Sequence, residues 1–146
     1  MPLPRPELGL VICYSYLWHV DYTEGYDEGI KDRPCAIVSV VETNEELECI
    51  VTVVPITHSP PPDASCALEI PAATKKRLGL DSARSWIILN EINQFLWPGP
   101  DLRPVSRMAN DCFDCGFLPP DLFERILERM QEQHDLKKLK SVFRTE

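Results

Sequence analysis

The sequence predicts a mainly-β domain: a small, strongly bent antiparallel sheet of about five strands, barrel-like, with one main C-terminal helix. Three observations predict it. Runs rich in β-branched and aromatic residues recur from Gly9 to Ile92, as half-buried and buried strands require. Helical periodicity appears only once, beyond Pro119. Proline punctuates the intervals, with 14 in 146 residues, and no repeat or linker marks off a second core. A single domain over residues 1–146 is therefore expected, with an irregular arm at 1–8, the barrel and helix at 9–134 and a basic tail at 135–146.

Each element has its own signal. From Gly9 to Val20, Leu10, Ile12, Tyr14, Tyr16 and Trp18 alternate with Val11, Cys13, Ser15, Leu17 and His19, the period of one long strand. Asp21 to Asp32 breaks that period with Gly25 and Gly29 and sets five acids against Lys31, a net −4, which predicts an acidic, mobile loop. Pro34 to Val41 is continuously apolar, as in a strand buried on both faces, and Leu47 to Thr57 repeats the signal after the Asn44-Glu45-Glu46 turn; together they predict a hairpin. Pro60-Pro61-Pro62-Asp63 is a stiff interruption before a short strand over Ala67–Ile70. Lys75-Lys76-Arg77 and Gly79 read as a polar connector to a strand over Ser85–Ile92, with Trp86, Ile88, Asn90 and Ile92 on one face. Trp97-Pro98-Gly99-Pro100 fits neither helix nor ladder and predicts a rigid loop. From Pro119-Pro120-Asp121, Leu122, Phe123, Ile126, Leu127 and Met130 recur at helical spacing, behind a proline and an acid suited to a first turn. Past His134 the chain turns basic while Leu136, Leu139, Val142 and Phe143 keep a rough stripe, which predicts a second short helix or a docking tail.

Composition excludes several function classes. Fifteen Lys and Arg against 23 Asp and Glu give a net charge of −8, which disfavours nonspecific binding to DNA or acidic lipid. No apolar run reaches the ~18 residues of a membrane span, and Met1–Glu7 carries three prolines in place of a signal-peptide core, so a soluble cytoplasmic protein is expected. Its six cysteines are then reduced thiols. Only Cys112 and Cys115 have ligand spacing, and with no second pair the expectation is no metal and no cofactor. The glycine-rich loops of nucleotide-binding proteins, the G-x-S-x-G elbow and the H-E-x-x-H helix are absent from the sequence.

What remains is a polar cluster at strand ends. Arg33 precedes one strand of the expected hairpin and Pro55-Ile56-Thr57-His58 closes the other, so pairing brings them together. Arg33 has the donor fork that suits a phosphate, against the plainer alternative of an ion pair with the acidic loop. Thr57 is either a second donor or a turn former. His58 is the residue that chemistry alone selects, because imidazole titrates near the working pH; His19 is a weaker alternative.

The order of these short motifs resembles the PemK/MazF (Kid-like) toxins of bacterial toxin–antitoxin systems. Gly9 opens the first strand, a Gly/acid loop leads to Arg33-Pro34, Pro55-Ile56-Thr57 ends the third strand, and Ser85–Leu89 with Glu91-Ile92 follows Leu80-Asp81-Ser82. The resemblance covers roughly Gly9 to Asn93 and, more loosely, the helix. It implies an SH3-like barrel that dimerises, a metal-independent endoribonuclease that cuts single-stranded mRNA with no requirement for DNA, and a cognate antitoxin that blocks the site. Arg33, Thr57 and His58 are then the catalytic candidates, with Glu28 (or its neighbour Asp27), Lys75, Lys76, Arg77 and Glu91 on the substrate side. Between Pro71 and Arg107, six basic residues oppose Asp81, Glu91 and Asp101, a net +3 that leaves −11 elsewhere; this predicts a basic stripe for the RNA backbone. Trp97 and Phe95 are candidates to stack bases, and Trp86 is assigned to the core. One departure matters. Some relatives carry an Arg and an Asp just after the E-I pair, where this chain has Asn93, Gln94 and Phe95. That loss keeps open a second reading, a noncatalytic barrel that binds a protein partner through the same cleft, as the related CcdB toxins resemble this fold without being nucleases.

Overall fold

The computed structural model describes residues 5–26, 29, 32–43, 48–97, 102–103 and 114–144. Asp27, Glu28, the 44–46 turn, residues 98–101, Arg107 and Cys112 lie outside them. In chain order the elements are β1 (Leu10–Tyr14), α1 (His19–Thr23), β2 (Arg33–Glu42), β3 (Cys49–Thr57), β4 (Ala67–Glu69), α2 (Ala72–Arg77), β5 (Trp86–Ile88), β6 (Glu91–Leu96), β7 (Asp114–Phe117), α3 (Pro120–Asp135) and β8 (Lys140–Phe143). Mainly β with a C-terminal helix is what the periodicity predicts. The sheet has eight strands, more than the five expected, in the order β4-β5-β3-β2-β1-β7, with β6 beside β3 and β8 beside β6. Its pairings leave the sheet open, not closed into a ring.

The apolar runs of β1 to β3 are explained by two cores. Val11, Ala36, Val54 and Ile56 pack on one face against Ile126 and Leu122 of α3. Ile12, Tyr14, Ile37, Val53 and Phe95 pack on the other, where Tyr14 and Phe95 stack at 4.5 Å. Strands buried on both sides lose the polar alternation of a half-exposed sheet, and each buried Ile or Leu contributes about 1.5–3 kcal/mol. The β2–β3 hairpin follows the expected pairing, from Cys35 opposite Pro55 to Glu42 opposite Cys49. Helix α3 takes Pro120 at its first turn, with Asp121 beside the positive end of the helix dipole. Leu122, Ile126 and Gln133 are buried along it, whereas Leu127, assigned by spacing to the apolar stripe, is exposed.

Four expectations are corrected. The long first strand ends at Tyr14: Ser15–Trp18 is irregular, and His19–Thr23 is helical. The physical reason is Asn93, fully buried, whose side-chain amide donates to Leu17 O at 2.8 Å while its Oδ1 accepts from Leu17 N at 2.9 Å. A side chain thereby replaces a neighbouring strand. Gly29 packs against the same segment, since a Cβ there would lie 2.6 Å from Ser15 Oγ and from Tyr16 O. Second, the expected Ser85–Ile92 strand is two strands. Between the pairs Ile56–Ile87 and Val53–Asn93 the chain takes six steps on the β5–β6 side and three on β3, and the surplus forms a corner at Leu89 and Asn90. Third, Lys75-Lys76-Arg77 lies in a helix, not in a connector. Fourth, the tail is a strand, β8, parallel to β6 from Glu91–Lys140 to Gln94–Phe143. It is locked by Arg144, whose Nη1 donates to Ser15 O at 2.7 Å and to Asn93 Oδ1 at 3.3 Å, with the guanidinium 5.6 Å from the centre of the Tyr14 ring.

Replacing Asn93 by Ala strands two buried backbone groups of Leu17. Urea titration of Asn93→Ala is expected to show a loss of about 2–4 kcal/mol in unfolding free energy; a loss within the ~0.5 kcal/mol of an ordinary surface substitution would contradict the clamp.

Candidate functional site

Arg33 stands first in β2, opposite Tyr14, and Thr57 stands last in β3. The hairpin brings them side by side, as its sequence predicts. Two pockets meet at this pair. One, of about 410 Å³, is walled by Trp18, Pro60–Pro62, Ile88, Asn90 and Glu91; the other, of about 280 Å³, by Asp32, His58, Leu80, Asp81 and Ser85. Arg33 and Thr57 belong to both.

The Arg33 guanidinium sits 5.0 Å from the centre of the Trp18 ring, a cation–π distance. Its Nε is buried and has no hydrogen-bond partner among the described residues. Burial draws its pKa below the ordinary arginine range, yet a guanidinium remains charged. A buried, unpartnered donor on a cation calls for an anion, and the expected ion pair with the acidic loop is made instead by Arg103, at 3.7 Å from Asp32. Thr57 Oγ1 accepts from Ser59 N at 3.2 Å, so it is a turn former that also lines both pockets.

The flanking groups differ in environment. His58 Nε2 lies 2.7 Å from Asp81 Oδ2, with both side chains about half exposed. Asp81 is held below the ordinary carboxylate range first by its hydrogen bond from Lys75 and then by His58. Glu91, in the larger pocket, accepts through Oε1 from Tyr16 Oη at 3.1 Å and His19 N at 3.0 Å. Burial raises its pKa above 4.5 and outweighs these two donors. His19 enters only through its backbone N–H.

The basic residues are not gathered here. Lys75 is 4% exposed and spends its ammonium on Asp81 Oδ1 at 2.8 Å, Ser85 Oγ at 2.7 Å and Ala83 O. Arg84 is engaged by both carboxylate oxygens of Glu69 at 2.8 Å while lying over Trp86. Lys76 and Arg77 are exposed on α2 and line neither Arg33 pocket. Three of the six residues of the expected basic stripe, Lys75, Arg84 and Arg103, are thus neutralised by local pairing. Phe95 is core, and Trp97 packs against it at 6.0 Å. Sequence reasoning missed Trp18, read as one more alternating strand residue, and Asp81, read only as a landmark. Their signal was the need of Arg33 for an aromatic face and of His58 for an acceptor, which only the fold pairs.

The sequence profile of the PemK-like, MazF-like toxins of type II toxin–antitoxin systems matches residues 16–96. The chain belongs to that family. The matched span contains Trp18, Arg33, Thr57, His58, Asp81 and Glu91, so both pockets lie within the family's domain. Membership points to a toxin of a type II system and implies an antitoxin partner. No curated protein matches the chain. Among the described residues no helix is long and apolar enough to cross a membrane, and Cys13, Cys35, Cys49 and Cys66 are free thiols.

The raised pKa of Glu91 gives a signed prediction. The folded state binds its proton more tightly than the unfolded chain, so this carboxyl's contribution to stability is complete below the unfolded value of 4.5 and is lost as the pH rises through the higher folded value. Glu91→Gln keeps an Oε1 acceptor and removes that loss. Thermal melts are expected to show the variant gaining on the wild-type protein as pH rises above about 4.5; a difference constant with pH would contradict the burial of the charge.

Proposed function

We propose that this family member is a toxin-like, metal-independent endoribonuclease that cuts single-stranded RNA such as mRNA by attack of the ribose 2′-hydroxyl, and that growth inhibition by it is relieved by an antitoxin covering the cleft. The observation that carries the reading is Arg33, a desolvated guanidinium whose buried Nε has no partner among the described residues, on the common wall of two pockets. Such a site holds the scissile phosphate with a nucleotide on each side. The reaction needs a base for the 2′-OH proton, donors for the charge on phosphorus and a proton for the leaving 5′-oxygen. Arg33 binds the phosphate and Thr57 supplies a second donor. His58 handles protons on one side, and Glu91 on the other faces the bound nucleotide, with Trp18 as an aromatic surface for a base. Lys76 and Arg77 are left for chain segments farther from the cut, Lys75 acts only inside the fold, and Glu28 stays a substrate-side candidate. On this reading the single domain works in the cytoplasm as a homodimer, without cofactor or DNA.

One observation favours the partner-binding alternative. Where some relatives carry an Arg and an Asp, this chain runs through Asn93, Gln94, Phe95 and Leu96, of which Asn93 and Phe95 are buried and structural. Catalysis must then rest on the Arg33 cluster alone.

Incubation of the purified protein with a long unstructured RNA in excess EDTA separates the two. Discrete fragments are expected, with cleavage reduced on the order of 10²–10³-fold in a folded Arg33→Ala, the range for loss of one transition-state donor. Intact RNA with folded wild-type protein would contradict the nuclease and favour the partner-binding barrel.

A further inference from the structure

Resting on the nuclease reading of the Arg33 cleft, we propose that Asp81 is a positioning residue that accepts a hydrogen bond from Nε2–H of His58 and so makes Nδ1 the atom that accepts the proton of the attacking 2′-hydroxyl. The three side chains behind this form a chain from the core to the cleft. Lys75 comes from α2 with its side chain only 5% exposed. Its ammonium has three donors, and Asp81 Oδ1, Ser85 Oγ and Ala83 O accept them. A buried ammonium that stays charged needs a carboxylate partner, so Asp81 is ionised.

An ionised carboxylate only accepts hydrogen bonds. Asp81 uses Oδ1 for Lys75 and Ala83 N, at 2.8 and 3.2 Å, and presents Oδ2 to His58 Nε2 at 2.7 Å. In a neutral imidazole one nitrogen carries the proton and the other the lone pair. The nitrogen facing Asp81 must be the donor, which fixes the tautomer and leaves the lone pair on Nδ1. No partner for Nδ1 occurs among the described residues, and His58 shares its pocket with Arg33 and Thr57. The charged groups facing that pocket are Asp32, Arg33 and Asp81, with Lys75 behind Asp81.

The step balances without a metal. As the O2′–P bond forms, the 2′-OH proton passes to Nδ1 and the positive charge of the imidazolium is met by Asp81. The P–O5′ bond breaks, and the leaving 5′-oxygen takes a proton from water. The imidazolium then returns its proton to water, and the products are a 2′,3′-cyclic phosphate and a 5′-hydroxyl.

Asp81→Asn preserves shape while allowing residue 81 to donate, which permits the other tautomer. The expected result is a fall in kcat on the order of 100-fold with KM little changed, the scale of a lost general base. At alkaline pH, 15N spectra of the full-length protein are expected to show the His58 proton on Nε2, moving toward Nδ1 in the variant. A wild-type ring protonated on Nδ1 overturns the proposal. So does Asp81→Asn cutting at the wild-type kcat while His58→Ala is inactive, and either result leaves the nuclease reading intact. RNA left whole by wild-type protein overturns both.

Discussion

The site depends on one buried amide. Asn93 grips Leu17 by its N–H and its C=O and receives Arg144 on the same Oδ1, so three stretches distant in sequence meet on a single side chain. Without that grip the chain after Tyr14 would have to satisfy its backbone in a ladder, and Trp18 would run on along the strand. With it, the segment leaves β1 and turns into α1, and Trp18 comes to rest against Arg33. A fully satisfied polar network in a low-dielectric interior specifies one arrangement, because every alternative leaves a group unpaired. Some relatives place a catalytic charge near this position; here it has become the support for the cleft.

An acidic protein with a phosphate site is less contradictory than net charge suggests. Long-range attraction to a polyanion scales with free cations, and this chain has quenched several of its own: Lys75 in the interior, Arg84 on Glu69, Arg103 on Asp32. Arg33 is different in kind. Its charge is partly desolvated, its Nε has no acceptor among the described residues, and its flat face is already covered by an indole. Recognition by such a group is short-range, through a donor fork and stacking, and is less sensitive to the surrounding −8 because salt screens separated surface charges within about 8–10 Å.

Much of this was legible in sequence. The hairpin placed Arg33 beside Thr57, because two apolar runs around a short polar turn have few other ways to bury themselves, and α3 followed from its spacing and its prolines. What was hidden arises from side chains that substitute for backbone. No local pattern announces that Asn93 will act as a strand neighbour, so the Gly9–Val20 run looked unbroken. The corner at Leu89 and Asn90 was invisible for a related reason: both halves of Ser85–Leu96 have strand character, and only the mismatch with β3 divides them. The tail misled because Leu136, Leu139, Val142 and Phe143 fit a helix as well as they fit the turn and strand observed, and a buried guanidinium at Arg144 decided between them. Lys75 shows the limit of charge counting, since a lysine in a basic triplet can be the most buried of the three.

The account's central claim is that the Arg33 cleft uses the substrate's own 2′-hydroxyl. It is tested most directly by mapping one cut in a short RNA, then offering the same oligonucleotide with a single 2′-deoxy residue immediately 5′ of that cut. The account predicts that the substituted strand binds as before and survives at that position. Cleavage there at the unmodified rate would contradict it.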